Sequence, residues 1–315
     1  MAEKTSISLP KRLRRKPPAA APETKAAHLP RIFSSDLCPV DTMPEMPEIE
    51  TIARQLRKTI VGKRIAEVRL SGLPLRKPIA HDFCARLRGR TIRKIRRRGK
   101  YLVAELEPKA FWLTHLGMSG RVLYHATELG RARHTHAVIQ FSDATELEYR
   151  DPRRFGMLAA YEVLRPAQIP ELRALGKDPL SAGFSSKWLG TVLKQSRREI
   201  KSLLLDQRKI AGLGNIYVCE SLFLARIHPA RRCFTLSTGE MARLARAIRR
   251  VLRTAIRNNG TSFSDFMGPD GSRGGNQGFL TVFQREGAAC VRCGAPIRRI
   301  RQANRSSFYC PTCQS

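Results

Sequence analysis

A chain of 315 residues with 42% hydrophobic residues has room for about two ordinary domains with real cores, which excludes a wholly disordered protein. Its 58 Lys and Arg against 26 Asp and Glu give a formal charge of +32, a field that selects polyanionic partners, nucleic acid first and an anionic membrane surface second. No run approaches the roughly 18 to 20 consecutive apolar residues of a membrane span, the N-terminus lacks the apolar core of a secretory signal, and 8 cysteines are too sparse for a disulfide scaffold.

Residues 1–42 run through PPAAAPETKAA and a basic cluster at Lys11, Arg12, Arg14, Arg15 and Lys16 without hydrophobic period, and read as a disordered tail. With 8 basic and 4 acidic residues, that tail leaves +28 of the charge to the remainder. From Met43 the pattern sharpens: Ile49, Ile52, Ala53, Leu56 and Ile60 recur at helical spacing behind Pro47, with Gly62 as a stop. Between 64 and 165 the short runs YLVAELE, FWLTHL, RVLY, HAVIQF, TELEYR and GMLAAYEV predict an antiparallel sandwich or barrel. KDPLSAGF, residues 177–184, marks a hinge, after which helical periods return. The clearest helix opens on the capping pair Ser237 and Glu240, carries Met241, Leu244, Ala245, Ile248 and Leu252 on one face, and stops at Asn258, Asn259 and Gly260. GPDGSRGGNQGFL, residues 268–280, is too rich in glycine for a regular element and reads as a mobile loop.

Cys290, Cys293, Cys310 and Cys313 give C-x2-C, an intervening stretch of sixteen residues, and C-x2-C, the spacing of a tetrahedral zinc site. Four protein thiolates leave no open position, so the zinc is expected to be structural. Arg298, Arg299, Arg301 and Arg305 fall on what reads as a two-stranded hairpin between the pairs, a basic ribbon suited to nucleic acid. Cys38, Cys84, Cys219 and Cys233 lack paired spacing and read as free thiols.

MPEMPEIET (43–51), HLGMSGR (115–121), RDPRRFG (150–156), LLLDQRKIAGLGNIYVCESLF (203–223) and RSSFYCPTC (305–313), in that order, resemble the bacterial formamidopyrimidine-DNA glycosylases. The resemblance implies an α+β fold: an N-terminal antiparallel β-sandwich flanked by helices, a helical helix-two-turns-helix domain and a four-cysteine zinc-finger hairpin. The expected divisions are 1–42, 43–176, 177–286 and 287–315. It further implies a cytoplasmic, monomeric enzyme acting on damaged double-stranded DNA, with one structural Zn2+ and no membrane partner.

By the same resemblance Pro44 is the nucleophile, its secondary amine freed either by a chain start at Met43 or by removal of residues 1–42. A terminal amine titrates near pH 8, so it is substantially neutral without deep burial. Glu45 resembles the acid/base residue, Lys100 the proton donor of β-elimination, and Arg305 the finger arginine that grips phosphates. Met118, Arg153 and Phe155 match a trio that fills the gap left by an extruded nucleotide. Lys201 and Asn215 would be phosphate partners, as would His134 at the DNA backbone, and Arg197 or Arg198 would stand in where Ser196 replaces a family lysine. Gly212 and Gly214 would let amides approach a phosphate. Glu220 reads as a structural carboxylate, and His115 equally as a core histidine. Where many relatives carry an aromatic pair in the glycine-rich loop, this chain has Gly275 and Asn276. The nearest rival is an endonuclease VIII-like glycosylase for oxidised pyrimidines; the other is a noncatalytic DNA-binding protein that kept the fold.

Overall fold

Why α1, Met46–Thr59, starts where it does is visible in its first turn: Glu45 is the N-cap, its N–H donates to Glu48 Oε2 at 2.9 Å, and a proline lies in the first turn. The helix buries Ile49, Ile52, Ala53 and Leu56, the stripe expected from the sequence. Gly62, at φ +88, turns the chain away behind it. The structure, a computed structural model, describes residues 43–127, 132–263 and 266–315; the expected tail lies outside the described residues.

The next elements are β1 (Ile65–Leu70), α2 (Phe83–Leu87), β2 (Thr91–Arg98), β3 (Tyr101–Glu107), β4 (Ala110–His115), β5 (Arg121–His125), β6 (Thr135–Phe141), β7 (Glu146–Arg150) and β8 (Met157–Tyr161). They form two antiparallel four-stranded sheets, ordered β1-β6-β7-β5 and β2-β3-β4-β8. Leu102, Ala104, Leu106 and Trp112 face a core shared with α1, Ile139, Leu147 and Tyr149. Val103, Phe111 and Leu113 point the other way, onto Met157, Ile169 and Leu172. Burial on both faces is why YLVAELE and FWLTHL read as near-continuous apolar runs rather than alternations.

β1 and β2 are absent from the runs read in the sequence, and β2 shows why. TIRKIRRR buries only Ile92 and Ile95, three residues apart, and a register irregularity between Ile92 and Lys94 brings both inward. A charged strand with a bulge has no period-2 signal to read.

The helical part holds α3 (Pro170–Arg173), α4 (Ser186–Lys194), α5 (Ile200–Leu204), α6 (Asn215–Ala225) and α7 (Thr238–Arg257). α7 keeps its expected capping box, Glu240 N–H on Ser237 Oγ at 3.2 Å and Ser237 N–H on Glu240 Oε2 at 2.8 Å. The 175–184 segment is held by arginines: Arg98 donates to Leu175 O at 3.0 Å, Arg97 to Asp178 at 2.7 Å, and Arg249 to Ser181 O at 3.0 Å. The glycine-rich 268–280 segment departs from expectation in one respect, since Asn276–Phe279 form a 3-10 turn fixed by the bonds of Asn276. β9 (Arg298–Gln302) and β10 (Arg305–Tyr309) make the expected hairpin, its two turn residues Ala303 and Asn304 at φ 46 and 60. Among the described residues no helix is long and apolar enough to cross a membrane.

Candidate active site and nucleic-acid interface

The starts of α1 and α6 meet at one carboxylate. Glu45, 3% exposed, accepts from the N–H groups of Ile216 at 2.9 Å and Tyr217 at 3.4 Å, donors left free at the beginning of α6. Pro44 beside it is buried. Glycine makes the approach possible: a Cβ on Gly214 would lie 2.2 Å from Glu45 Cδ, and one on Gly212, at φ +96, 2.9 Å from the Met46 Cβ. The two glycines thus admit the side chains of Glu45 and Met46.

Lys100 reaches the same place from the turn between β2 and β3. Gly99, at φ +58, sets that turn against the Gly212 loop, 3.5 Å from Ala211 by its virtual Cβ. Lys100 is 6% exposed, and burial lowers its pKa, with Glu45 opposing the shift and Arg305 adding to it. Burial pushes Glu45 up to about 7, with Lys100 opposing and Glu48 adding. A carboxyl poised near neutrality beside an ammonium that releases its proton more readily than usual is equipped for proton transfer at physiological pH.

Behind Glu45 lies a second buried carboxylate that the sequence reading missed. Glu48 accepts from Glu45 N–H at 2.9 Å, from Thr261 N–H at 2.7 Å and from the Tyr217 hydroxyl, and burial raises its pKa. Glu48 stands three residues after Glu45 at the cap of α1, whereas its partners Tyr217 and Thr261 lie 169 and 213 residues away.

Two loops form a unit at the end of the sandwich. Asp151, fully buried, accepts from Ser119 Oγ at 2.6 Å, Gly156 N–H at 2.7 Å and Tyr149 Oη at 3.3 Å, and Ser119 Oγ accepts from Arg153 N–H at 3.1 Å. A Cβ on Gly117 would lie 2.4 Å from the Phe155 carbonyl carbon. HLGMSG and DPRRFG are thereby locked together, presenting half-buried Met118, exposed Arg153 and Phe155 at 44% exposure, with the Arg153 guanidinium 5.0 Å from the Phe155 ring centre. Exposed His134, at φ 67, joins them by accepting the Asp151 N–H on its carbonyl at 3.0 Å.

The four cysteine Sγ atoms all lie within 4.8 Å of one another, Cys293 to Cys310 at 3.5 Å and Cys290 to Cys313 at 4.0 Å. Tetrahedral zinc with Zn–S near 2.3 Å needs about 3.8 Å between sulfurs, so the quartet fits the ion.

The N-terminal domain model of formamidopyrimidine-DNA glycosylase matches residues 43–158, its H2TH domain residues 175–267, and the zinc finger found in FPG and IleRS residues 287–315. The chain belongs to the formamidopyrimidine-DNA glycosylase family. The family enzyme of Dinoroseobacter shibae is 42% identical, over 86% of this chain and 100% of its own length. The crystal structure of the MutM (Fpg) protein of Thermus thermophilus superposes with a TM-score of 0.77 at 40% identity, over 86% of this chain and 98% of that one. A Lactococcus lactis Fpg mutant in complex with a Fapy-dG containing DNA gives 0.79 at 34%, over 86% and 100%. The chain is thus a DNA repair protein of the glycosylase family with a zinc finger holding one structural zinc.

Within that family frame the expected site residues fall into groups. Pro44, Glu45 and Lys100 come together, and Arg305, exposed at the start of β10, acts on Lys100 electrostatically. Lys201 is 1% exposed and spends its ammonium on the hairpin, donating to Ser306 O at 2.7 Å and Ser307 Oγ at 2.6 Å; Asn215 Nδ2 adds a bond to Ser306 O at 3.0 Å. Both join α5 and α6 to the zinc finger. Arg197 is exposed on the loop before α5. Glu220 is structural as expected, accepting from Val282 and Phe283 N–H at 2.9 Å each and from both Thr281 donors. His115 accepts from Gly117 N–H at 3.0 Å, and burial drives its pKa down to about 4, so the ring is neutral.

Proposed function

We propose that this chain excises oxidised purines, 8-oxoguanine and formamidopyrimidines, from double-stranded DNA and then nicks the abasic site by β,δ-elimination. The Pro44 nitrogen attacks the sugar C1′, the glycosidic bond breaks with its electron pair leaving on the base, and the base takes up a proton. The amine gives up its proton, the C1′–O4′ bond then breaks with O4′ taking up a proton, and the iminium so formed is the electron sink for loss first of the 3′ and then of the 5′ phosphate. Glu45 shuttles the protons of ring opening, Lys100 donates during β-elimination, and Arg305 grips the phosphate. Met118, Arg153 and Phe155 fill the gap of the extruded nucleotide, while His134 and Arg197 fix register on the backbone and Lys201 and Asn215 carry the hairpin that grips it. The monomer works in the cytoplasm, with DNA in a basic cleft between the divisions 43–176 and 177–286 and the finger 287–315 on one side.

The observation that carries this reading is the buried Glu45 carboxyl next to Pro44, raised to about 7 and opposed by Lys100. An amide nitrogen cannot form an iminium, so this reading requires a free amine at Pro44. Borohydride trapping of residues 43–315 on a duplex with 8-oxoguanine opposite cytosine, followed by peptide mapping, is expected to place the adduct on Pro44. An adduct on a lysine overturns the nucleophile, and binding without an adduct favours the pyrimidine-specific or noncatalytic alternatives.

A further inference from the structure

The glycine-rich loop touches the carboxylate pair through one side chain. Asn276, 4% exposed, donates from Nδ2 to Thr261 Oγ1 at 3.0 Å, accepts on Oδ1 from Asn258 Nδ2 at 3.2 Å, and donates its N–H to Gly260 O at 3.0 Å. Around it, Gly275 N–H reaches Asn258 O at 2.8 Å and Gly274 N–H reaches Ser262 Oγ at 2.9 Å. A Cβ on Gly274 would lie 2.3 Å from Gly260 O, and one on Gly260 2.9 Å from Glu48 Oε1. Loop, 260–261 segment and Glu48 are three layers in contact.

Donor directions along this stack are fixed by chemistry. The Asn276 amide N–H can only donate, so the Thr261 oxygen accepts, leaving the Thr261 proton for Tyr217 Oη at 2.9 Å. The Tyr217 proton goes in turn to Glu48, which has no donor of its own when ionised. Every link points toward Glu48, and such chains strengthen one another in a buried setting.

We infer that Asn276 is a positioning residue of the active site: it docks the glycine-rich loop and, through Thr261 and Tyr217, holds Glu48 as the carboxylate facing Glu45. The inference rests on the glycosylase reading above, with Glu45 as the proton-transfer group. Without the amide, the Thr261 hydroxyl is no longer held toward Tyr217, and Glu48 takes up a proton more readily. Glu45 then loses the like charge that helps keep it protonated. The other groups facing Glu45 are the Pro44 amine on its own element, Lys100 from the β2–β3 turn and the α6 N–H groups, with Arg305 beyond Lys100 and Lys201 and Cys219 further along α5 and α6; the bonds of Asn276 run to Thr261, Asn258 and Gly260 and to none of these.

The test measures single-turnover excision of 8-oxoguanine from about pH 5.5 to 9 by residues 43–315, wild type, Asn276→Leu, Thr261→Val and the double variant. Each single variant is expected to move the alkaline limb to lower pH and to lose about tenfold in rate at pH 8, the equivalent of one net hydrogen bond. The double variant is expected to fall no more than about twofold below the singles, because both changes break one chain. Thr261→Val keeps the backbone bonds to Glu48 and the loop, so it reads the chain even where Asn276→Leu does not fold. Unmoved limbs, or losses that multiply in the double variant, overturn the inference. Wild-type protein that neither traps nor excises overturns the glycosylase reading and this inference with it, whereas an active wild type with unshifted variants overturns this inference alone.

Discussion

Gly214 and Glu45 share one space: the hydrogen of the glycine leaves room for a carboxyl carbon that a Cβ would meet at 2.2 Å. That contact, rather than turn geometry, makes Gly214 indispensable, since its φ of -133 is open to any residue. Gly214→Ala pushes the Glu45 carboxylate off the Ile216 and Tyr217 N–H groups or pushes α6 away from α1. Overpacking of this kind costs about 1 to 3 kcal/mol, and the displaced carboxyl is the reacting one. The expected result is a folded protein whose excision rate falls by about a hundredfold, as for misplaced catalytic groups, with affinity for an uncleavable abasic analogue within a few fold. Stopped assays and a binding titration on one preparation check it, and wild-type kcat in the variant refutes it.

Keeping Glu45 buried has a stability cost with a definite sign. Its folded pKa of about 7 lies above the unfolded value of 4.5, so folded and unfolded states are both protonated at low pH. As pH rises from 4.5 to 7 the unfolded chain releases its proton first and stability is lost, in full above 7. Glu45→Gln removes the charge and keeps an acceptor for Ile216. The variant should be inactive yet more stable than wild type at pH 8, by about 1 to 3 kcal/mol, with the difference gone near pH 4. Urea unfolding at the two pH values decides; equal stability at pH 8 would falsify the proton linkage.

Much of this architecture is legible along the chain. The stripes of α1 and α7 and the apolar runs of β3 and β4 carry their own periods, and the cysteine quartet carries its own spacing. What escaped reading depends on distant partners. β2 hides because its burial is two isoleucines in a charged strand with a bulge. Glu48 goes unread because its partner Thr261 is 213 residues away, and Lys201, taken by resemblance for a phosphate partner, hides its tie to the hairpin because the carbonyl it holds is 105 residues away. The catalytic candidates Pro44, Glu45 and Lys100 were named by resemblance; no pattern in three such residues identifies a site unaided.

Lys201 gives a prediction about the zinc finger. Its ammonium and the Asn215 amide are the two donors on Ser306 O, and its pKa is lowered by burial, so it holds β10 from beneath. Lys201→Met leaves Ser307 Oγ without that donor and Ser306 O with one, at a cost of about 2 to 3 kcal/mol. Zinc release to a chelator should quicken, and binding to abasic-site duplex should weaken along with it. Chelation of the wild type should reproduce the binding loss, because four thiolates without metal no longer close the hairpin. Unchanged zinc release in the variant would show that the hairpin stands without Lys201.

Asp151 makes a parallel case in the sandwich. It is the one carboxylate on which Ser119 of the Met118 loop and Gly156 of the Arg153–Phe155 loop both end, and Ser119 passes the connection on to Arg153 N–H. Asp151→Asn keeps the shape but turns one acceptor oxygen into a donor, so either Ser119 Oγ–H or Gly156 N–H then faces an N–H group. The unpaired contact is expected to cost about 2 to 4 kcal/mol of stability. Ser119→Ala, which removes one link and no charge, is expected to cost about 1 kcal/mol and is the cleaner probe of function. If the two loops act as one wedge, Ser119→Ala weakens binding to a lesion in full duplex by about tenfold. It should leave unchanged the affinity for a duplex in which the nucleotide opposite the lesion is itself abasic, because there the wedge has no partner base to support. Equal weakening on both duplexes would mean that the loops serve only the fold, and that Met118, Arg153 and Phe155 do not fill the gap together.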